Sequence, residues 1–164
     1  MLDKIKNNKL KNKKIVLCHG VFDLIHIGHI RYLKKAKELG NFLVVSVTKD
    51  EFVNKGPGRP AFNTEQRMRL LSELKFVDHV CESSDFTAVK VIEKIKPKFY
   101  CKGIDYPLDK LKKDINLKAE INAVKKNKGE FVLITEPKFS SSQLINENLL
   151  QNLNNDCKEY IKSI

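Results

Sequence analysis

Four consecutive residues, His26-Ile27-Gly28-His29, have the side chains best suited to chemistry in this chain of 164 residues. They come where a predicted apolar strand over 15–18 gives way to a predicted helix over 27–39. A helix start presents unpaired backbone N–H groups and the positive end of the helix dipole, which together attract anions. Gly28 has no Cβ, so an anion can approach the backbone closely. The two imidazoles can donate hydrogen bonds, and the pattern predicts a polyphosphate site.

The elements around this site follow from the alternation of apolar runs with helical patterns. Predicted strands cover 15–18, 42–47, 77–81, 99–101 and 130–135, and predicted helices cover 27–39, 64–74, 86–95, 111–126 and 140–153. This alternation is typical of a parallel sheet covered on both faces. We therefore predict a Rossmann-like, doubly wound α/β fold of about five parallel strands. Ligands in such folds bind outside the carboxyl ends of the strands, where His26 would lie.

The length favours one domain over 1–164, with a core at about 14–150 and lysine- and asparagine-rich helical extensions at 1–13 and 151–164. The four cysteines are scattered, and three of them end predicted strands. We expect these to be buried, reduced thiols, which suits the cytoplasm. No apolar run approaches the roughly 20 residues that span a bilayer, so we expect a cytoplasmic protein without a membrane partner.

The net charge of +11 raises the question of nucleic-acid binding. Much of the lysine lies in 1–14 and 110–128, and aromatic residues do not alternate with it as they do on a platform that stacks single strands. We therefore predict no nucleic-acid partner. A general positive field would still attract a small polyanion.

The run Cys18-His19-Gly20-Val21-Phe22-Asp23-Leu24-Ile25-His26-Ile27-Gly28-His29 resembles the opening of the cytidylyltransferase-like nucleotidyltransferases, G-x-F-D-x-x-H-x-G-H. The resemblance extends over 14–150, through Gly58-Arg59-Pro60 with Glu65-Gln66-Arg67, Lys102-Gly103-Ile104-Asp105-Tyr106 and Lys138-Phe139-Ser140-Ser141-Ser142. Within the family, the chain is most similar to the adenylyltransferase domain of bacterial ADP-heptose synthases. Glycerol-3-phosphate cytidylyltransferase is the second relative, but the arginine of its R-T-E-G-I-S-T run is missing here.

The resemblance implies a reaction in which a nucleoside triphosphate and a phosphorylated sugar or polyol give a nucleotide-linked product and pyrophosphate. The attacking phosphate oxygen is already anionic, so no general base is needed. The protein must align the reactants and stabilise spreading negative charge, which calls for hydrogen-bond donors and cations. We expect Mg²⁺ to arrive with the nucleotide, since the sequence shows no dedicated metal ligands.

The resemblance also implies roles for individual residues. Catalytic roles are expected of His26, His29 and Lys55, with Lys49 competing for the role of Lys55. Nucleotide binding is expected of Gly20, Val21, Phe22, Gly28, Lys102, Gly103, Asp105, Ser140, Ser141 and Ser142, the serines alternatively serving only as helix caps. Acceptor binding is expected of Asp50 and Arg67, the arginine alternatively pairing with Glu65 or Glu73. Asp23 is expected to hold loop backbone.

Two other functions stay open at this point. The letters H-I-G-H also occur in class I aminoacyl-tRNA synthetases, although we expect those enzymes to need a much longer chain. A module that binds nucleotide without catalysis could share the fold, but it would not need His26, His29, Lys55 and Arg67 together. Dimerisation is common among such domains, which leaves a homodimer open.

Overall fold

A computed structural model describes residues 12–54, 59–103 and 114–135. Its sheet has five strands, all parallel, in the order β3-β2-β1-β4-β5. They are β1 (Ile15–Gly20), β2 (Phe42–Thr48), β3 (His79–Ser83), β4 (Phe99–Gly103) and β5 (Glu130–Ile134). The strand order reverses direction between β1 and β4, which makes the carboxyl ends of these two strands the switch point where such folds bind ligands.

Helices cover both faces of the sheet. They are α1 (Ile27–Glu38), α2 (Thr64–Ser72), α3 (Val89–Ile95) and α4 (Ile115–Lys126), with a short 3₁₀ turn at Asp50–Phe52. One apolar cluster joins the sheet to α1 and α2, and a second joins its other face to α3 and α4. The predicted Rossmann-like fold is confirmed.

Strands β1 and β2 are almost continuously apolar, as expected of strands with both faces buried. In β1, Val16 and Cys18 face the first cluster, while Ile15 and Leu17 face the second. Cys18, Cys81 and Cys101 are buried free thiols, as predicted, and Cys157 lies outside the described residues.

Strand β3 begins two residues later than the sequence pattern predicts. Val77 belongs to the preceding turn, since its N–H donates to the carbonyl of Leu74. Asp78 then accepts a 2.6 Å hydrogen bond from the N–H of Leu43 and pairs with Lys37. These bonds fix the register, so pairing with β2 starts at His79.

Two predicted helices are shorter than expected at their amino ends. Helix α3 begins at Val89 because the N–H of Ala88 donates to the carboxylate of Glu120 on α4. Helix α4 begins at Ile115, where the side chain of Asp114 caps the first turn. The predicted helix over 140–153 lies outside the described residues, as do most of the two predicted extensions.

Gly40 allows α1 to turn tightly into β2. A Cβ at this position would lie 2.2 Å from the carbonyl oxygen of Lys14, which no real side chain tolerates. The close approach places β2 directly beside β1 and leaves α1 running back across the sheet. No helix within the described ranges is long and apolar enough to cross a membrane.

Candidate active site

The first turn of α1 contains the paired histidines, and their side chains build its start. His26 is the N-cap, and its Nδ1 accepts a 3.1 Å hydrogen bond from the N–H of Gly28. In return, the N–H of His26 donates to Nδ1 of His29 at 3.4 Å. No acidic residue lies in this first turn, so no carboxylate of the helix itself offsets the positive end of the dipole.

These backbone bonds assign the tautomer of both rings. Because each Nδ1 accepts a hydrogen bond, the neutral imidazoles have their own N–H at Nε2, which makes Nε2 the hydrogen-bond donor of each ring. The ring centroids lie 3.9 Å apart with a tilt of 33°. Phe22 packs its ring edge-on against His29, with centroids 5.4 Å apart. The arrangement therefore places two donors side by side at the start of a helix.

The turn between β1 and α1 is shaped by Phe22. This residue has a φ of 51°, which is rare for a side chain of its size, and it is 5% exposed. Its ring closes over Gly20, where an added Cβ would lie 3.3 Å from the ring. The carbonyl of Val21 turns inward and accepts a hydrogen bond from Arg67. The structure thus brings Gly20, Val21 and Phe22 next to the histidine pair; nucleotide binding by them stays a prediction.

Helix α1 is tied to the other side of the switch point by Tyr32. Its hydroxyl donates a 2.7 Å hydrogen bond to the carbonyl of Cys101 in β4. The next two residues along β4 are Lys102 and Gly103, which were predicted to bind nucleotide. The bond therefore joins the helix of His26 and His29 to the strand that ends in Lys102 and Gly103.

Lys102 is held on the opposite face of the sheet from α1. Its side chain is 11% exposed, and its Nζ lies 3.3 Å from Oε2 of Glu120 and 5.6 Å from the centroid of the Tyr100 ring. Its neighbour on β1 is His19, whose ring faces the hydroxyls of Ser46 and Thr48 at 3.2 Å and 3.5 Å. Burial, and after it the charge of Lys102, lower the pKa of His19 to about 3, so this ring is neutral at pH 7.

Arg67 is completely buried, which differs from the alternative of a surface ion pair. Its guanidinium donates to the carbonyls of Phe62, Val21 and Thr48 and to a carboxylate oxygen of Asp50 at 2.6 Å. It pairs with neither Glu65 nor Glu73. The side chain has no exposed surface, and acceptor binding by Arg67 stays a prediction. The geometry is that of a positioning residue that connects the exits of β1 and β2 to the start of α2.

Asp23 holds loop backbone, as the sequence analysis expected. Its carboxylate accepts hydrogen bonds from the N–H groups of Ala61 at 2.7 Å and Phe62 at 3.2 Å, and from Arg59 at 2.8 Å. Burial alone would raise the pKa of Asp23, but the bonds from Arg59 and the two amides together bring it below its ordinary value. Asp23 and Arg67 thus fasten the same loop to the end of β1.

Asp50 begins the 3₁₀ turn after β2, and both of its carboxylate oxygens have partners. One accepts from Arg67 and the other from the N–H of Thr64, at 3.0 Å. Although burial raises the pKa of Asp50, these bonds lower it more. Lys49, the competitor for the role of Lys55, lies 3.6 Å from a carboxylate oxygen of Glu82. Contact of Asp50 with the acceptor stays a prediction.

Several predicted site residues lie outside the described ranges: Lys55, Asp105, Ser140, Ser141 and Ser142. Their predicted roles stay as stated. Within those ranges, no group of three or more His, Cys, Asp or Glu side chains is arranged to hold a metal ion.

A family model described as cytidylyltransferase-like matches residues 17–148. The chain belongs to the cytidylyltransferase-like family. The matched range begins within β1 and includes the histidine pair, Arg67, Lys102 and Glu120.

Similar curated proteins include the bifunctional protein HldE of Vibrio cholerae serotype O1, which is 41% identical over 108 residues. HldE of Aliivibrio fischeri strain MJ11 is 38% identical over 111 residues. These alignments cover 65% and 66% of this chain but 23% of each relative. The chain therefore spans about a quarter of the length of the curated relatives it matches.

Among solved structures, the lipopolysaccharide core biosynthesis protein of Thermoplasma volcanium is similar, with a TM-score of 0.62 and 29% identity. That match covers 79% of this chain and 100% of the other. Pantoate-beta-alanine ligase of Francisella tularensis, with a TM-score of 0.58, 16% identity and coverage of 93% and 75%, shares the fold alone. The family match, the HldE relatives and the Thermoplasma volcanium structure confirm the predicted resemblance.

Sequence analysis missed Glu120 and treated His19 only as a letter of the family motif. A signal for Glu120 was present: it lies on the apolar stripe of α4 with Leu117 and Val124, where a carboxylate is buried only if it has partners. His19 interrupts an apolar strand in the same way. The partners of both residues come from other elements of the fold, which spacing does not reveal.

Proposed function

We propose that this chain transfers the nucleoside monophosphate unit of a nucleoside triphosphate to a phosphorylated sugar, with release of pyrophosphate. The proposed activity is most like that of a heptose 1-phosphate adenylyltransferase, in line with the ADP-heptose synthase resemblance and the HldE relatives. The single observation that supports it best is the pair of imidazoles at the start of α1, both with Nε2 as donor, beside the switch point of the sheet.

The chemistry needs no nucleophile from the protein. A phosphate oxygen of the acceptor attacks the α-phosphorus, the bond from that phosphorus to the bridging oxygen breaks, and pyrophosphate leaves with the electron pair. Negative charge spreads over the α- and β-phosphate oxygens during this step. Nε2–H groups of His26 and His29 fixed in advance would stabilise that charge without reorganising. Mg²⁺ would enter as part of the nucleotide substrate and neutralise further charge.

The substrates are identified by testing each of the four common nucleoside triphosphates against heptose 1-phosphate and glycerol 3-phosphate. Pyrophosphate release measures turnover. We expect the highest kcat/KM with ATP and heptose 1-phosphate. A preference for CTP with glycerol 3-phosphate would contradict this proposal and would show the activity of a glycerol-3-phosphate cytidylyltransferase instead. Absence of pyrophosphate with every pair would contradict nucleotidyl transfer to these acceptors.

The histidine mechanism is tested by two substitutions that separate capping from donation. In His29→Asn, the side-chain oxygen can replace Nδ1 as acceptor for the N–H of His26, but the donor at Nε2 is lost. In His29→Gln, the amide can reach the place of Nε2, but the cap is lost. We expect His29→Asn to lower kcat by a factor of about 10²–10³ and His29→Gln to retain more activity than His29→Asn.

A matched histidine control lies at the other end of the sheet. His79 begins β3, away from the carboxyl ends of the strands. His79→Asn should leave kcat unchanged. Equal losses in His29→Asn and His79→Asn, or near-normal turnover of His29→Asn, would remove His29 from the mechanism.

A further inference from the structure

We propose that Glu120 is a positioning residue that holds the ammonium of Lys102 at the switch point, where it receives a phosphate group of a substrate. The proposal rests on the nucleotidyl transfer proposed above. It assigns a function to a buried ion pair on the α3 and α4 face, away from the histidines.

The carboxylate of Glu120 is shared among three elements. One oxygen accepts from the N–H of Ala88 at 2.8 Å, and the other accepts from the hydroxyl of Tyr100 at 2.7 Å. The second oxygen also lies 3.3 Å from Nζ of Lys102. The bond from the backbone of Ala88 fixes the carboxylate with or without Tyr100, and the charge of the carboxylate holds the ammonium beside it.

The pair has a cost that packing alone does not explain. The side chains of Glu120 and Lys102 are 4% and 11% exposed, and charges removed from water to this extent lose much of their hydration. An apolar pair of similar volume would serve the core as well or better. The presence of this costly ion pair therefore indicates that the ammonium of Lys102 has a function.

The place of Lys102 in the sheet indicates what that cation would bind. Lys102 is the residue before the last one of β4, and β4 forms one side of the switch point. Helix α1, with the histidines, lies on the other face of the sheet. In-line displacement needs charge stabilisation on both sides of the α-phosphorus, and Lys102 supplies a cation on the side opposite the histidines. His19 beside it is neutral and does not compete for the carboxylate of Glu120.

The proposal is tested by a double-mutant cycle read in steady-state kinetics. Glu120→Gln keeps an oxygen for Ala88 but removes the charge beside Lys102, and Lys102→Met removes the ammonium. We expect each variant to raise the KM of one substrate by about tenfold or more. Because Glu120 acts through Lys102, the double variant should be no worse than Lys102→Met alone. The substrate whose KM rises, nucleotide or acceptor, identifies the phosphate that Lys102 receives.

Tyr100→Phe is the matched control, since it removes a buried bond to the same carboxylate and leaves both charges in place. We expect it to lower thermal stability while changing KM less than threefold, roughly the limit of an indirect effect. A KM increase in Tyr100→Phe equal to that in Glu120→Gln would show a merely structural role and overturn the proposal. Additive losses in the double variant would overturn it too.

Failure of the proposed function can be told apart from failure of this inference. Wild-type protein without pyrophosphate release contradicts nucleotidyl transfer to the tested acceptors only. The cycle is then read by calorimetric titration with inorganic phosphate and inorganic pyrophosphate. Weaker binding of either probe in both single variants, without a further loss in the double variant, supports the Lys102 site. Unchanged binding of both probes overturns it.

Discussion

Replacement of Arg67 tests how the loops around the site are held. Its guanidinium donates to three backbone carbonyls, those of Phe62, Val21 and Thr48, from a side chain with 0% exposure. Arg67→Met leaves these acceptors and Asp50 without their donor. The side chain of Asp50 is 43% exposed, so water can solvate its carboxylate when Arg67 is removed, and loss of this ion pair costs little. The carbonyls therefore account for most of the expected loss.

A buried acceptor left without its donor costs about 1–3 kcal/mol, so three such carbonyls near the lower end of that range cost about 3–5 kcal/mol. We expect Arg67→Met to lower the free energy of unfolding by that amount. With a urea m-value of about 2 kcal/mol/M for a small domain, the unfolding midpoint should fall by about 2 M. Arg67→Lys keeps the charge but offers one compact ammonium in place of a planar fork, so it should recover roughly half of the loss.

Arg69 provides the control on the same helix. It lies two positions further along α2 and is exposed, so Arg69→Met should change the free energy of unfolding by less than about 0.5 kcal/mol. Urea denaturation followed by circular dichroism measures all three variants. If Arg67→Met and Arg69→Met agree within about 1 kcal/mol, the role of Arg67 as the common donor of these loops is refuted.

Three further predictions concern pH and capping. The depressed pKa of His19 contributes stability that is fully present above its ordinary pKa of 6.5 and is lost by about 1.4 kcal/mol per pH unit as the pH falls toward 3. His19→Asn should remove this slope from urea midpoints between about pH 7 and about pH 5; an unchanged slope contradicts a buried neutral ring. The lowered pKa of Asp23 contributes stability above its ordinary value of 3.8 that is lost below it. Asp23→Asn should lower the free energy of unfolding by about 1–3 kcal/mol at neutral pH, and its difference from wild type should shrink in acid. Thermal midpoints of the two proteins that differ by the same amount at every pH would contradict this. Asn63 caps α2 by accepting from the N–H of Gln66. Asn63→Ala should therefore lower the free energy of unfolding by about 1 kcal/mol in urea denaturation, and Asn63→Asp, which can still cap, by much less. Equal losses in the two variants would show that the loss does not come from the cap.

The fold could be predicted largely from local pattern. Apolar runs placed all five described strands, most clearly β1 and β2, which are buried on both faces and are almost continuously apolar. The edges of elements were less predictable. The start of β3 depends on the bond from Leu43 to Asp78, and the start of α3 depends on Glu120. Both partners lie more than thirty positions away in the sequence.

The site was predictable where one short segment builds it and unpredictable where distant segments meet. The histidine pair lies within four residues, so its position at a helix start could be inferred from the sequence. Arg67 is different, since its carbonyl acceptors include Val21 and Thr48 on two other segments. The ion pair of Lys102 with Glu120 joins a strand to the following helix across the core. Spacing along the chain carries no information on such contacts.

The hydrogen bond from Tyr32 to Cys101 has a consequence for the order of folding. It joins residues 69 positions apart, while β1, α1 and β2 form a continuous unit early in the chain. Long-range closure of this kind is slow because chain entropy must be lost before the contact forms. A nascent chain that has emerged only as far as β3 has the imidazoles but not β4, the strand that pairs with β1 and completes the switch point. The switch point should therefore assemble only after β4 has docked.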